Sequence, residues 1–208
     1  NGQVAGMGQQ VEETDTVQVG KKILQGKQTQ KVLAFYKPVG VTCTERDPHA
    51  EKKIMDMIRY PERLTYAGRL DKDSEGLILL TNDGDLINAM MRGGNRHEKE
   101  YIVKTDREIT PDFLEKMAKG IYLKDLDITT RECEIEQIGK FTFRIVLTHG
   151  VNRQIRRMCE ACGYRVKALK RIRIMNILLG DLKPGKWREV TGEELEQLQR
   201  DTGMLNRN

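Results

Sequence analysis

Between Leu64 and Thr81 the chain passes from a polar loop into the uninterrupted apolar run Leu77, Ile78, Leu79 and Leu80. Such a run, closed by Asn82, Asp83 and Gly84, has the length and the stop signal of a buried strand. Upstream, the pattern predicts a strand over Lys31–Tyr36 and a short amphipathic helix over Lys52–Arg59. Downstream it predicts a helix over Asp85–Arg92, a strand over Glu100–Thr105 and a helix over Thr110–Lys119. That last helix is opened by Thr-Pro with Asp112 in its first turn and closed by Gly120. Arg131–Gln137 and Phe141–Thr148 read as a hairpin through Gly139 and Lys140, with Phe141, Phe143, Ile145 and Leu147 on one face. In Asn152–Gly163, Ile155, Met158, Cys159 and Cys162 fall at helical spacing and Gly163 can close the helix. Val166–Leu179 reads as a strand and Gly192–Arg200 as a terminal helix. The sum is an α+β chain built on a long, mostly antiparallel sheet.

Composition narrows the class. At 208 residues and 38% hydrophobic content the chain can bury the core of one moderate domain with a small appendage. No stretch of about 18 apolar residues exists, and NGQVAGMGQQ has no export pattern, so a cytoplasmic protein is the expectation. Cys43, Cys133, Cys159 and Cys162 form no disulfide framework in a chain of this size. Cys159 and Cys162 make one CxxC, but a zinc site needs two further ligands and His49, His97 and His149 are scattered; two helix-face thiols are the better reading. The net charge is +5, yet Arg153 to Arg173 holds eight Lys or Arg against Glu160 alone, a local +7 that leaves −2 for the remainder. Concentrated basicity is the footprint of a phosphate-backbone partner, and it also describes a solvated charged face. Within it, alternation along Lys167–Ile174 places Arg171 and Arg173 on one side and Ile172 and Ile174 on the other.

The candidate chemistry sits before the apolar strand. Asp71 stands between Arg69 and Lys72, cations that favour its ionised form. By composition alone, Asp71 equally fits a loop acid in a surface salt bridge, Arg156 one of three helix arginines facing solvent, and Tyr101 a core aromatic of a strand.

The motifs separate these readings. GRLD at 68–71 followed by SEGLILLTNDGD resembles the catalytic motif of the RsuA/RluB/RluE/RluF-type pseudouridine synthases, in which the Asp of GRLD is the catalytic residue. YKPVGV at 36–41, KEYIV at 99–103 and NRQIRRM at 152–158 carry the same resemblance in the same order. GGNRHEKEY and LKRIRIMNILLGDL bring the chain nearest the RluF branch, and the likeness runs from about Leu33 to Leu198.

The resemblance implies a pseudouridine synthase catalytic fold over 31–200, a long, mostly antiparallel mixed sheet flanked by helices. Residues 1–30 would precede it as a partial S4-like RNA-binding segment with a linker, lacking that module's two leading helices, and 201–208 would be a frayed tail. It implies isomerisation of a uridine in structured ribosomal RNA, of the 23S large-subunit RNA for the RluF branch, with tRNA as a further substrate. No cofactor, metal or membrane is expected, and a monomer is. Asp71 would act at the sugar carbon, Arg156 would pair with it, and Tyr101 would stack on the uracil and serve a proton transfer. Arg69 would bind phosphate or fill the gap left by the flipped nucleotide. Lys37, Asn152, Arg153, Gln154, Ile155, Arg171 and Arg173 would complete the RNA-binding set. Two other functions fit the same residues: an inactive RNA-binding assembly factor, and a base-excising hydrolase pairing Asp71 with Asp73 or Glu75.

Overall fold

The computed structural model describes residues 2–6, 9–10, 15–20, 22–24, 29–44, 51–92 and 97–205. The chain divides into two compact units, Asn1–Gln30 and Lys31–Asn208. In the first, β1 (Val17–Val19) pairs antiparallel with β2 (Lys22–Leu24). Of the expected linker over 26–31, residues 26–28 lie outside the described residues.

The second unit runs β3 (Val32–Lys37), a single 3-10 turn (Ile54–Met57), β4 (Thr65–Ala67), β5 (Glu75–Thr81), α1 (Gly84–Met91), β6 (Lys99–Thr105), α2 (Pro111–Lys119), β7 (Tyr122–Leu123), β8 (Ile128–Thr129), β9 (Glu134–Gly139), β10 (Thr142–Leu147), α3 (Gln154–Ala161), β11 (Val166–Ile174), β12 (Ile177–Leu178), β13 (Trp187–Glu189) and α4 (Gly192–Asp201). Its main sheet has the order β13-β3-β5-β11-β6-β10-β9, with β4 on β5 and β12 on β11. Every pairing is antiparallel except β5 with β11. Among the described residues no helix is long and apolar enough to cross a membrane.

The apolar run behaves as its composition demands. Leu77 and Leu79 pack with Ala34, Leu86 and Leu198, while Ile78 and Leu80 pack with Leu33, Phe35 and Ile54 on the other side. All four are 0% exposed. At about 1.5–3 kcal/mol for each large side chain withdrawn from water, β5 is a rigid base for whatever precedes it. A third cluster joins Phe113 and Met117 of α2 and Ile155 and Met158 of α3 to Val103, Phe143 and Leu169 on the sheet.

Side-chain caps open both α1 and α2. Asp83 caps α1 by accepting from the backbone of Asp85 and Leu86, and Thr110 caps α2 by accepting from Phe113. Elsewhere the structure differs from the pattern. Lys52–Arg59 makes only the 3-10 turn, because Lys53 and Ile58 at its ends are both extended. Val166–Leu179 is two strands, broken where Met175 takes a positive φ of 52°. Phe141 leaves the face of Phe143, Ile145 and Leu147 because the β9–β10 register shifts between Thr142 and Phe143, and it is 39% exposed. At the C-terminus, Asp201 ends α4 and Met204 still donates to the Gln199 carbonyl, so the ordered chain extends beyond the expected tail boundary; 206–208 lie outside the described residues.

Candidate active site

Asp71 lies in the connection from β4 to β5, and that connection is fastened on several sides. The Ser74 amide donates to the Asp71 carbonyl at 3.1 Å, and the Gly40 amide to the Lys72 carbonyl at 2.7 Å. Two buried arginines brace the same loop. Arg171, 3% exposed, sends Nε to the Leu77 carbonyl at 2.7 Å and Nη1 to the Arg69 carbonyl at 3.4 Å. Arg156 sends Nη2 to the Asp73 carbonyl at 2.9 Å and the Ser74 hydroxyl at 3.1 Å. Guanidinium groups suit this work, because their fixed fork satisfies several oxygens at once.

The carboxylate of Asp71, about one-third exposed, forms its ion pair with Arg153, Nη1 to Oδ2 at 3.4 Å. Among the described residues no ion pair joins it to Arg156, Arg69 or Lys72. The expected pairing with Arg156 is therefore corrected: the first arginine of NRQIRRM reaches the acid, while the second is committed to the backbone beside it and to Asp73 at 3.3 Å. Arg153 also grips Asp73 with both arms at 3.1 Å. Burial opposes ionisation of Asp73, but the Arg153 hydrogen bonds and the Arg156 and Arg153 charges outweigh it and hold that carboxyl below its ordinary range.

In front of the acid opens a cavity of about 600 Å³. Asp71 is the only carboxylate among the described residues that line it, against eight Lys or Arg. Tyr101, 9% exposed, enters from β6, where it stands opposite Ile145 of β10 and Arg171 of β11. Ile155 lines the cavity and also belongs to the core. Arg69 is exposed at the wall, and among the described residues no carboxylate pairs with its guanidinium. Asn152 lines it too, its carbonyl accepting from Arg157 Nε at 2.9 Å. Gln154 lines the wall while buried, its Oε1 accepting from the Val151 amide at 3.1 Å and so tying down the start of α3.

Two expected RNA contacts, Lys37 and Arg173, are placed away from the cavity. Lys37 is 0% exposed, with Nζ held at 2.8 Å by the carbonyls of Pro38 and Val41, so it presents nothing to a phosphate. Burial pushes its pKa below the usual lysine value. Arg171 and Arg173 do not share a solvent face. The β11–β6 register shifts between them, setting Arg171 opposite Tyr101 and Arg173 opposite Glu100, residues that alternate across β6. Arg171 goes into the cavity, and Arg173 pairs with Glu98 at 2.9 Å and Glu100 at 2.6 Å.

Sequence reasoning passed over Lys99 and His149, which both line the cavity. The signal for Lys99 was present: it is two residues before Tyr101, hence on the same strand face. His149 stands two residues beyond Leu147. Its Nε2 accepts from the Arg131 amide at 3.5 Å, and burial, then the charges of Arg131 and Lys99, hold its pKa below the ordinary histidine value.

With that geometry in view, comparison with known proteins is informative. A family model described as RNA pseudouridylate synthase matches residues 31–161. The dual-specificity RNA pseudouridine synthase RluF of Escherichia coli (strain K12) is 44% identical over 200 residues, covering 95% of this chain and 68% of that protein. The ribosomal large subunit pseudouridine synthase B of Pseudomonas aeruginosa is 31% identical over 216 residues, covering 98% of this chain and 55% of that protein. A crystal structure of a pseudouridylate synthase superposes with a TM-score of 0.77 at 27% identity, covering 91% of this chain and 82% of that one.

Proposed function

The chain belongs to the RNA pseudouridylate synthase family, and from that premise we propose that it converts one uridine of structured large-subunit ribosomal RNA to pseudouridine with Asp71 as the reacting carboxylate. The observation that carries this reading is a lone carboxylate on a cavity wall otherwise charged by cations. A glycosidic bond broken and remade without net hydrolysis needs one acid, and a phosphate-bearing substrate needs the cations. The paired-acid hydrolase loses its second acid: Asp73 is gripped by Arg153, Glu75 accepts from the Tyr36 hydroxyl at 3.1 Å, and neither lines the cavity.

In this reading the target nucleotide leaves its stack and enters the cavity. Arg69, exposed at the wall, takes backbone phosphate or the vacated place in the stack. Tyr101 meets the uracil with its ring, Ile155 supplies an apolar wall, and Arg153 orients Asp71 at the sugar carbon. Arg156 acts one step back, by holding the loop that carries the acid. No cofactor or metal takes part. The large-subunit RNA is favoured by the RluB-type relative's name, and the dual specificity named for the RluF relative extends the reading to a second RNA, for which tRNA is the candidate. Residues 1–30 would assist as an S4-like RNA-binding segment of a monomeric, cytoplasmic enzyme.

The test is tritium release from unmodified large-subunit ribosomal RNA labelled at uracil C5, because forming the C–C glycosidic bond expels that hydrogen. Release by the unsubstituted protein, with background release by Asp71→Asn that still binds the RNA, is the expected result. Normal release by Asp71→Asn would remove Asp71 from the chemistry; binding without release by either would favour an RNA-binding factor.

A further inference from the structure

One stretch of the cavity wall gathers cations that the proposed chemistry leaves unused. On β6, Lys99 and Tyr101 share a face, about 7 Å apart along the strand. Opposite them Leu147 of β10 pairs with Lys99 and Arg171 of β11 with Tyr101, and all four line the cavity. Arg171 is 3% exposed, and its Nη2 is buried without a hydrogen-bond partner among the described residues. Two of its arms are committed to carbonyls, and the whole group is a fixed, buried positive charge. Lys99 is half-buried, and among the described residues no carboxylate pairs with it. Burial, together with the nearby Arg171 charge, lowers its pKa from the usual lysine value. Two partly desolvated cations near one another, neither paired with a carboxylate among the described residues, are costly. They become favourable when something negative arrives.

The chemistry supplies such a species. Whether Asp71 bonds to C1′ or removes a proton from C2′, the C1′–N1 bond breaks with its electron pair left on N1. Uracil thus departs as a monoanion whose charge spreads onto O2 and O4. The base then turns, C5 provides the electron pair for the new C1′–C5 bond, and Asp71 is restored. The C5 proton is lost and N1 takes one up, so atoms and charge balance. Between the two bonds the anion belongs to the enzyme alone.

We propose that Lys99, with the buried charge of Arg171 near it, binds the detached uracil anion through its exocyclic oxygens and stabilises it while it turns. This deepens the synthase reading and rests on it. The division of labour follows from the side chains: Arg171 is braced and contributes a fixed charge, whereas an ammonium on a flexible stem can follow a rotating anion. A ribose phosphate is the other anion that Lys99 could meet. Its place beside the buried Tyr101 and Arg171 favours the base, which goes deepest when a nucleotide flips in.

The test compares Lys99→Met and Lys99→Arg with the unsubstituted protein under single-turnover conditions, on large-subunit RNA transcripts made with uridine or with 5-fluorouridine. Fluorine makes the departing base a more stable anion, so it partly replaces what a stabilising cation supplies. The readouts are the rate at which the starting nucleoside disappears from RNA digests and the Kd for RNA. Lys99→Met should bind RNA within about twofold of the unsubstituted protein. It should lose about 100-fold in rate on uridine RNA and only about 10-fold on 5-fluorouridine RNA. Lys99→Arg should recover part of the loss. Equal loss on both RNAs with weaker binding would overturn the proposal in favour of a phosphate contact, and unchanged rates would overturn it outright. No conversion of either RNA by the unsubstituted protein would overturn the synthase reading itself, and this proposal with it.

Discussion

Arg153 holds a left-handed backbone, φ 52° and ψ 33°, at the entrance to α3. For a side chain with a Cβ that conformation costs about 1–2 kcal/mol, and such strain persists where the surroundings impose it. Here it aims the guanidinium at Asp71 and Asp73 together. The ion pairs are partly exposed, with side chains 41% and 49% accessible for Arg153 and Asp73, so they offset little of the strain. Arg153→Gly should therefore unfold within about 1 kcal/mol of the unsubstituted protein and above Arg153→Ala, because glycine alone relieves the backbone. Activity should fall about 100-fold in both, since Asp71 loses the partner that orients it. Urea unfolding and tritium release measure the two effects separately. A glycine variant less stable than the alanine variant would show that Arg153 is not strained in the folded enzyme.

At the scale of elements, the site depends on the one parallel pairing of the sheet. Gly76 of β5 lies between Lys37 of β3 and Arg171 of β11. Its φ is +112°, and a Cβ there would fall 2.2 Å from the Arg171 carbonyl oxygen. Backbone cannot yield as a flexible side chain does, so Gly76→Ala should cost about 3 kcal/mol or more. It should also part β5 from β11, taking the Asp71 loop away from Arg171. Thermal unfolding checks the first effect; survival of full stability would mean that β11 can slide. This pairing also marks where the sequence stopped being legible. The apolar run of β5, the opening of α2 at Thr110, and the α3 stripe could be read because each depends on neighbours within a few residues. Asp71, Tyr101 and Ile155 were found by motif and do meet at the cavity. The β11 bulge, the turn at Met175 and the pairing of Asp71 with Arg153 in place of Arg156 were not legible, because each is set by a distant strand or loop. Lys37 misled for a related reason. Its surface-type side chain is swallowed by two local carbonyls, a fate no charge count reveals.

Across the whole molecule, sequence clustering and spatial exposure of charge part company. The stretch Arg153–Arg173 looked like one basic patch, yet most of its arginines are occupied internally: Arg153 and Arg156 by Asp73, Arg157 by Asp125, Arg173 by Glu98 and Glu100, and Arg171 by carbonyls. The positive field available to RNA is assembled instead on the cavity wall, from residues as far apart in sequence as Arg69 and Arg131. A cation that meets phosphate releases a counterion and steepens the salt dependence of binding by about 0.7–0.9 in log Kd per log salt; one already neutralised by carboxylates releases none. Arg69→Ala should accordingly weaken RNA binding and flatten that slope by about 1, whereas Arg173→Ala should leave the slope unchanged. Filter binding from low to moderate salt distinguishes the two. If the Arg173 variant lost slope and the Arg69 variant kept it, the RNA would be tracking the β11 strand and the cavity wall would not be where phosphate docks.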